Sequence, residues 1–258
     1  MKNALVPAWL LAAALLVGCD ALVAPTEGSG RVATRAVPVA GAFTALEVEG
    51  AFRVEVADAP AVAVSAEADD NLLPLLEAEV SEGCLRLTTS GPFTSPNPFV
   101  LRIAAPGLSS VTASGAAAMT IASLAGDEVS VTAAGASQVV VATVSGKSLR
   151  VRANGTSTVT LTGTTAAETV EIRTSDTSVV AADIDCADLA VNGEGGSKVS
   201  GMRTRTATLH LSAGAAVDLD ASKRLEVRAI GTAKVCYGGK PEITGRAGVG
   251  VSIEPRAK

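Results

Sequence analysis

Aromatic side chains are nearly absent from this chain. Four Phe, one Tyr and one Trp make up 2% of its 258 residues, and the single Trp, Trp9, lies in an apolar N-terminal run. So few flat rings leave no stacking platform for bases or sugar rings, which argues against the commonest RNA-binding and carbohydrate-binding designs. Histidine is scarcer still. His210 is the only one, so a zinc site with several histidines cannot be built. Basic charge is short as well, with 21 Lys and Arg against 26 Asp and Glu. That acidic balance argues against nucleic acid or anionic lipid as the main partner, since both need a basic footprint. No Cys-x-x-Cys pair, P-loop or Gly-x-Ser-x-Gly elbow occurs, and Gly193-x-Gly195-Gly196 reads as turn glycine because no helix follows it. No catalytic residue, metal site or cofactor is expected.

What is present begins at the N-terminus. Lys2 precedes an uncharged apolar stretch from Ala4 to Val17, and Leu16-Val17-Gly18-Cys19 has the form of a lipobox. In such a signal the cysteine sulfur takes a diacylglycerol and the preceding residues are removed. The stretch is too short to cross a bilayer as a helix, which takes roughly 20 residues. An ordinary signal peptide would end in a small-x-small site without a cysteine. The sequence therefore predicts a lipoprotein signal over 1–18, a lipidated Cys19, a flexible linker over 19–38 and a single domain over 39–258. Pro25, Thr26, Glu27 and Gly28-Ser29-Gly30 give the linker the composition of a tether. The predicted location is the bacterial cell envelope, lipid-anchored, at the outer-membrane surface or facing the periplasm. Loss of the signal leaves 20 basic and 26 acidic residues, a net charge of −6. Cys84, Cys186 and Cys236 remain, enough for at most one disulfide. Cys186, expected on a corner, and Cys236, expected outward on a strand, lie too many repeats apart to bridge.

Beyond the linker the chain repeats. Apolar-x-apolar triplets recur at Val129-Ser130-Val131, Leu149-Arg150-Val151, Val170-Glu171-Ile172, Leu189-Ala190-Val191, Leu209-His210-Leu211 and Leu225-Glu226-Val227, in steps of 20, 21, 19, 20 and 16 residues. Each is followed by a turn former: Gly135, Gly155, Asp176, Gly195, Gly214 or Gly231. A second apolar set follows the turn, as in Val139 and Val141, Val159 and Leu161, or Val179 and Ala181. A period near 20 with short strands is a solenoid signature. The predicted fold class is all-β: a parallel β-helix with coils of about 20 residues, in which stacking buries one apolar column upon the next. An antiparallel sandwich would show similar alternation, but not so regular a period. Between Asp70 and Val80 a short helical turn could form, limited by Pro74.

The order of these motifs resembles the bacterial head GIN domain family, whose members carry the label auto-transporter adhesin. The resemblance rests on Phe43-x-x-Leu46-x-Val48-x-Gly50-x-Phe52-x-Val54-x-Val56, on Asp70-Asn71-Leu72-Leu73 through Gly83-Cys84-Leu85, on the repeated Gly135-Ala136-Ser137, Gly155-Thr156-Ser157 and Gly195-Gly196-Ser197, and on Val235-x-Tyr237-x-Gly239-x-Pro241-x-Ile243 with Gly248-Val249-Gly250. It covers about Val39 to Ile253. It implies a right-handed parallel β-helix in the cell envelope, often behind a lipoprotein or secretion signal, and no known activity.

Strand parity then assigns the outer surface. One face should show Ser130, Arg150, Glu171, Ala190, His210 and Glu226, with Thr132, Arg152, Arg173, Asn192, Ser212 and Arg228 one step on. Arg150 beside Glu171 and His210 beside Glu226 are expected charge pairs. The other face should show Thr120, Val140, Thr160, Val180, Ser200 and Asp218. Asp183, Asp185 and Asp188 are expected on one corner loop, with Asp218 and Asp220 near. The candidate binding surface is therefore Asp183, Asp185, Asp188, Thr120, Thr160, Ser200 and Asp218. Three functions are consistent with this. The leading one is a non-catalytic envelope lipoprotein, an adhesin or binding scaffold presenting flat β-helix faces. Its partners would be the membrane through the lipid, and a glycan, cell surface or envelope protein; oligomers are conceivable and nucleic acid is not. The second is a lyase-like polysaccharide enzyme using the acidic residues with calcium. The third is a periplasmic stress-signalling scaffold with its cysteines as redox handles.

Overall fold

A computed structural model of the chain describes residues 24–163 and 166–256. The predicted signal over 1–18 and the lipidation site Cys19 lie outside the described residues. The chain winds as a β-solenoid of about 7 turns, with no α-helix among the described residues. Each coil gives one parallel strand to each of two faces. On the first face Ala45–Gly50, Ser110–Gly115, Glu128–Ala133, Ser148–Ala153 and Ala166–Thr174 stack in order. The later halves of Val179–Gly193, Lys198–Leu211 and Ala216–Ala229 continue it, and Glu242–Ala247 comes last. On the second face Phe52–Asp58, Ala118–Ala125, Gln138–Ser145 and Thr158–Leu161 lead into the earlier halves of the same three long strands, then Lys234–Gly239 and Ser252–Pro255.

Alternation makes the core. On the first face Leu46, Val111, Val131, Val151, Ile172, Val191, Leu209 and Val227 are in register, and none is more than 1% exposed. Val54, Met119, Val139, Val159, Val180, Val199, Val217 and Val235 form the facing column. Small and β-branched side chains dominate because each strand is covered on one side by a narrow interior shared with the opposite face. The rings gather at the N-terminal end, where Phe52 meets Phe99 edge-on at 5.1 Å.

The corner joining the faces is itself a stack. Gly50, Gly115, Gly135, Gly155, Asp176, Gly195, Ala213, Gly231 and Gly250 all have positive φ. A Cβ at Gly155 would lie 2.7 Å from the Gly135 carbonyl oxygen, so this site needs glycine for room as well as for backbone conformation. Asp176 manages without it and binds downward instead, its carboxylate accepting from the Gly155 N–H at 3.0 Å. Inside the same corner Ser137, Ser157, Ser178 and Ser197 are buried. The first three donate to the Ala113, Ala133 and Ala153 carbonyls of the preceding coil, at 3.2, 3.1 and 2.9 Å. Those buried hydroxyls are thereby satisfied.

Several expectations need correction. The linker predicted over 19–38 contains two strands that belong to the domain. Thr26–Glu27 pairs in parallel with Phe93–Thr94, and Val32–Ala36 pairs antiparallel with Ala63–Asp69. The fasteners are remote in sequence. Asn71 accepts from the Ser29 N–H and donates to the Glu27 carbonyl, while Asp70 pairs with Arg31 at 2.9 Å. Beneath them the Asp69 carboxylate, 0% exposed, accepts from Ser95 Oγ and Asn97 Nδ2, each at 2.7 Å. The turn expected after Asp70 is the 3-10 turn Leu73–Leu75. Register also slips from the predicted count, because the later coils are shorter. Val191 pairs with Leu209 rather than Leu211. One coil earlier the opposite happens: the step from Val159 to Val180 is 21 residues instead of 20, so Val180 faces inward, fully buried, and Ala181 takes its place outside. Cys186 lies within the Val179–Gly193 strand, buried, rather than on a corner.

The packing sets two expected outcomes. Val159→Asp would put an unpaired carboxylate in the middle of the stack and should cost about 3 kcal/mol or more, read as a fall in the unfolding midpoint in urea. Asp69 governs the N-terminal segment. Hydrogen bonds from Asn97 and Ser95 hold its carboxyl below the usual carboxylate range, against burial, with a smaller contribution from the Gly30 N–H. A lowered folded-state value favours the ionised fold. The stabilisation is complete above the unfolded value and is lost as pH falls through the folded one. The protection factors for hydrogen exchange over 26–36, taken against the intrinsic rate at each pH, should therefore fall in acid, and Asp69→Asn should abolish that pH dependence.

Candidate functional site

The second face presents one outward residue per coil: Thr120, Val140, Thr160, Ala181, Ser200, Asp218 and Cys236, aligned by register. Thr160, Ser200 and Asp218 stand where parity put them. Beside them runs an open groove of about 680 Å³ lined among others by Asp183, Arg203, Asp220 and Arg256. Its shape comes from a local departure from regular pairing. The register shifts between Ala181 and Ile184, and again in the next coil between Ser200 and Met202. Gly201, with φ +92°, absorbs the second shift. Such bulges bend the strand and re-aim the side chains that follow.

The acidic residues are not a loop cluster. Asp183, Asp185 and Asp188 all lie in the extended Val179–Gly193 strand. Asp183 and Asp185 point outward on alternate positions, and one arginine of the next coil takes both. Arg203 Nη1 lies 2.7 Å from Asp183, and its Nε 2.5 Å from Asp185. Arg256 does the same for Asp218 and Asp220, approaching Asp220 at 3.1 Å. Hydrogen bonds to Asp185 and then Asp183 push the Arg203 guanidinium above its ordinary value, and those to Asp218 do so for Arg256. These pairs are solvent-exposed and each contributes little to stability. Asp188 accepts a hydrogen bond from Thr206 Oγ1 and lines a different depression with Arg150 and Glu171.

The structure thus brings Thr160, Asp183, Ser200 and Asp218 into one groove, sets Asp185 at its edge, and leaves Asp188 and Thr120 elsewhere. Arg203 and Arg256 were missed. Arg203 had a signal, since it stands one coil length after Asp185. Arg256 is 38 residues from Asp218, across two coils, and had none. On the first face, Arg150 bridges Glu128 at 2.8 Å and Glu171 at 3.7 Å, so the expected Arg150–Glu171 pair is present. The expected His210–Glu226 pair is not: Glu226 stands beside Thr208, and His210 beside Arg228.

A divalent cation has no cage here. Calcium needs six to eight oxygens, whereas guanidinium groups occupy the space between these carboxylates. Among the described residues no three His, Cys, Asp or Glu side chains converge.

Known proteins share this architecture. The family model described as "Putative auto-transporter adhesin, head GIN domain" matches residues 42–241. No curated protein matches the sequence at a significant level. Among solved structures, one described as a putative lipid binding protein from Parabacteroides distasonis superposes with a TM-score of 0.82 at 17% identity, covering 91% of this chain and 100% of that one. A putative adhesin from the same species gives 0.82 at 17%, covering 90% and 100%. A putative adhesin from Parabacteroides merdae gives 0.84 at 15%, covering 90% and 99%. At these identities the likeness is one of fold.

The arginine straps predict the response to metal. Millimolar calcium should leave the thermal midpoint unchanged, because a ligand stabilises a fold only by binding it. A rise in that midpoint on adding calcium would contradict the assignment of these carboxylates to arginine.

Proposed function

Taking as premise that the chain belongs to the head GIN domain family, we propose that it is a non-catalytic binding scaffold of the bacterial cell envelope, held to a membrane through a lipid on Cys19. The observation that carries this reading is the way the solenoid spends its polar residues. They line up in outward columns along rigid faces, unbroken from Thr112 to Arg246 on the first face and interrupted by Val140 and Ala181 on the second, and the carboxylates in the groove are tied to arginine. A binding surface benefits from that rigidity, because little entropy is lost when a partner docks on side chains already held. The family label of adhesin and the described neighbours agree with a binding role.

The two competing readings gain less. A lyase or hydrolase needs a carboxylate free to take a proton or to hold a metal in the cleft. In the groove Asp183, Asp185, Asp218 and Asp220 are instead engaged by Arg203 and Arg256. A redox sensor needs an accessible thiol of lowered pKa. Burial pushes the Cys186 and Cys84 thiols up, which makes both poorer nucleophiles.

Attachment and exposure can be tested together. In intact cells the native chain should fractionate with membranes and its domain should be reached by added protease or antibody. Cys19→Ala should abolish the membrane fraction. A domain reached only after the outer membrane is broken would sink adhesion and favour a periplasmic scaffold. A Cys19→Ala chain still firmly membrane-bound would sink the lipid anchor.

A further inference from the structure

The first face carries a second column that has no part in the groove. Arg152, Arg173, Asn192, His210, Arg228 and Arg246 occupy the same outward position on six consecutive coils. Coil spacing places them about 4.8 Å apart along a strip of roughly 24 Å. Five of the six are Arg or His, on a chain whose net charge is −5. Elsewhere on this face charges alternate in sign: Arg86 meets Glu49, and Arg150 lies between Glu128 and Glu171. In this column like faces like. Arg152 is directly beside Arg173, and Arg228 beside Arg246, with Asn192 and His210 between the two pairs.

Like charges opposite each other on neighbouring strands are destabilising. The column is only partly relieved. Arg173 binds Glu171 and Arg228 binds Glu226 on their own strands, each through one nitrogen, and their side chains stay 55% and 65% exposed. Arg152, His210 and Arg246 make no ion pair among the described residues. Alongside the last four positions runs a groove of about 830 Å³, flanked by Ser212 and also by Glu194 and by Glu226, the latter held by Arg224 and Arg228. A local breach of the rules that stabilise the rest of a fold is where a ligand is expected.

We propose that this column binds a linear acidic glycan, a polysaccharide bearing carboxylate or sulfate groups along its length. Evenly spaced guanidinium groups offer paired donors to each anionic group, and Asn192 and Ser212 offer partners for hydroxyls. The strip has no ring on which either a base or a sugar could stack, so recognition runs through the anionic groups, which a carboxylated or sulfated glycan carries on its outside without any need for stacking. The inference does not depend on the lipid anchor, so it stands or falls separately from the cellular location.

The test is binding of the full chain to alginate and to dextran sulfate, with neutral dextran as control. We expect binding to both polyanions at low salt, weakening steeply as salt rises, and none to neutral dextran. The triple variant Arg152→Ala, Arg228→Ala, Arg246→Ala should bind at least about tenfold more weakly. Arg53→Ala, an exposed arginine of the Phe52–Asp58 strand on the other face and outside both grooves, should bind as the parent does. Removing like-charged neighbours should leave the triple variant as stable as the parent; should it fail to fold, Arg246→Ala on the last coil provides the same comparison with a smaller loss. Equal binding by these variants, equal binding to neutral dextran, or binding to anionic vesicles but to neither polyanion would overturn the proposal.

Discussion

The constraint on which everything else rests is coil-to-coil register. Backbone N–H groups on one coil find carbonyls on the coils to either side, and at the corner such bonds run from turn to turn, as from Ala136 to Gly115 and from Thr156 to Gly135, each at 2.8 Å. Because the corners are bonded as well as the strands, one coil cannot slide on the next by a residue without exposing its whole apolar column. The positive-φ position and the serine inside the corner belong to this lock. Glycine lets the turns approach closely, and the serine hydroxyl satisfies itself on the coil beneath. The interior is consequently narrow, which is why valine and alanine fill it and the phenylalanine rings are confined to one end.

Register also decides what kind of surface the molecule can have. A residue repeated at one position becomes a column, so a single preference multiplied over coils becomes a strip. The second face uses this to alternate acid and arginine across coils, which neutralises the surface and stiffens it. The first face does so at Arg150, then abandons it one position along the strand. The fold itself does not require that difference. Threonine occupies the same column at Thr112 and Thr132 without any cost in charge, so arginine on the later coils is a departure that stability alone does not explain.

Much of this was legible in the residues, and the limits of legibility are physical. Alternating valines and corner glycines are local signals, and they identified the solenoid, its two faces and the outward placing of Thr120, Thr160, Ser200 and Asp218. Errors entered where the coil shortens. Around Leu209 the pattern is degenerate: Ala207, Leu209 and Leu211 all face inward. Either neighbouring pair of them satisfies an apolar-x-apolar rule, and only hydrogen bonding chooses Leu209 as the partner of Val191. Misplacing that pair moved His210 from the cationic column to the neighbouring one and hid the column. Val180 was hidden by the opposite change, because the coil from Val159 to Val180 is one residue longer than the one before it.

The N-terminal segment was illegible for a different reason. Its composition is that of a tether, and by local propensity it is one. What orders it is a set of polar contacts reaching some forty residues along the chain, from Ser29 to Asn71 and Asp70, over a buried carboxylate at Asp69. These contacts also have a structural purpose that composition cannot show. A solenoid must end somewhere, and its first coil offers unpaired strand edges that invite association. Here Ala63–Asp69 and Leu76–Ser81 run antiparallel beside the first coils, and Val32–Ala36 covers Ala63–Asp69 in turn. The residues that look most dispensable are thus what closes the stack.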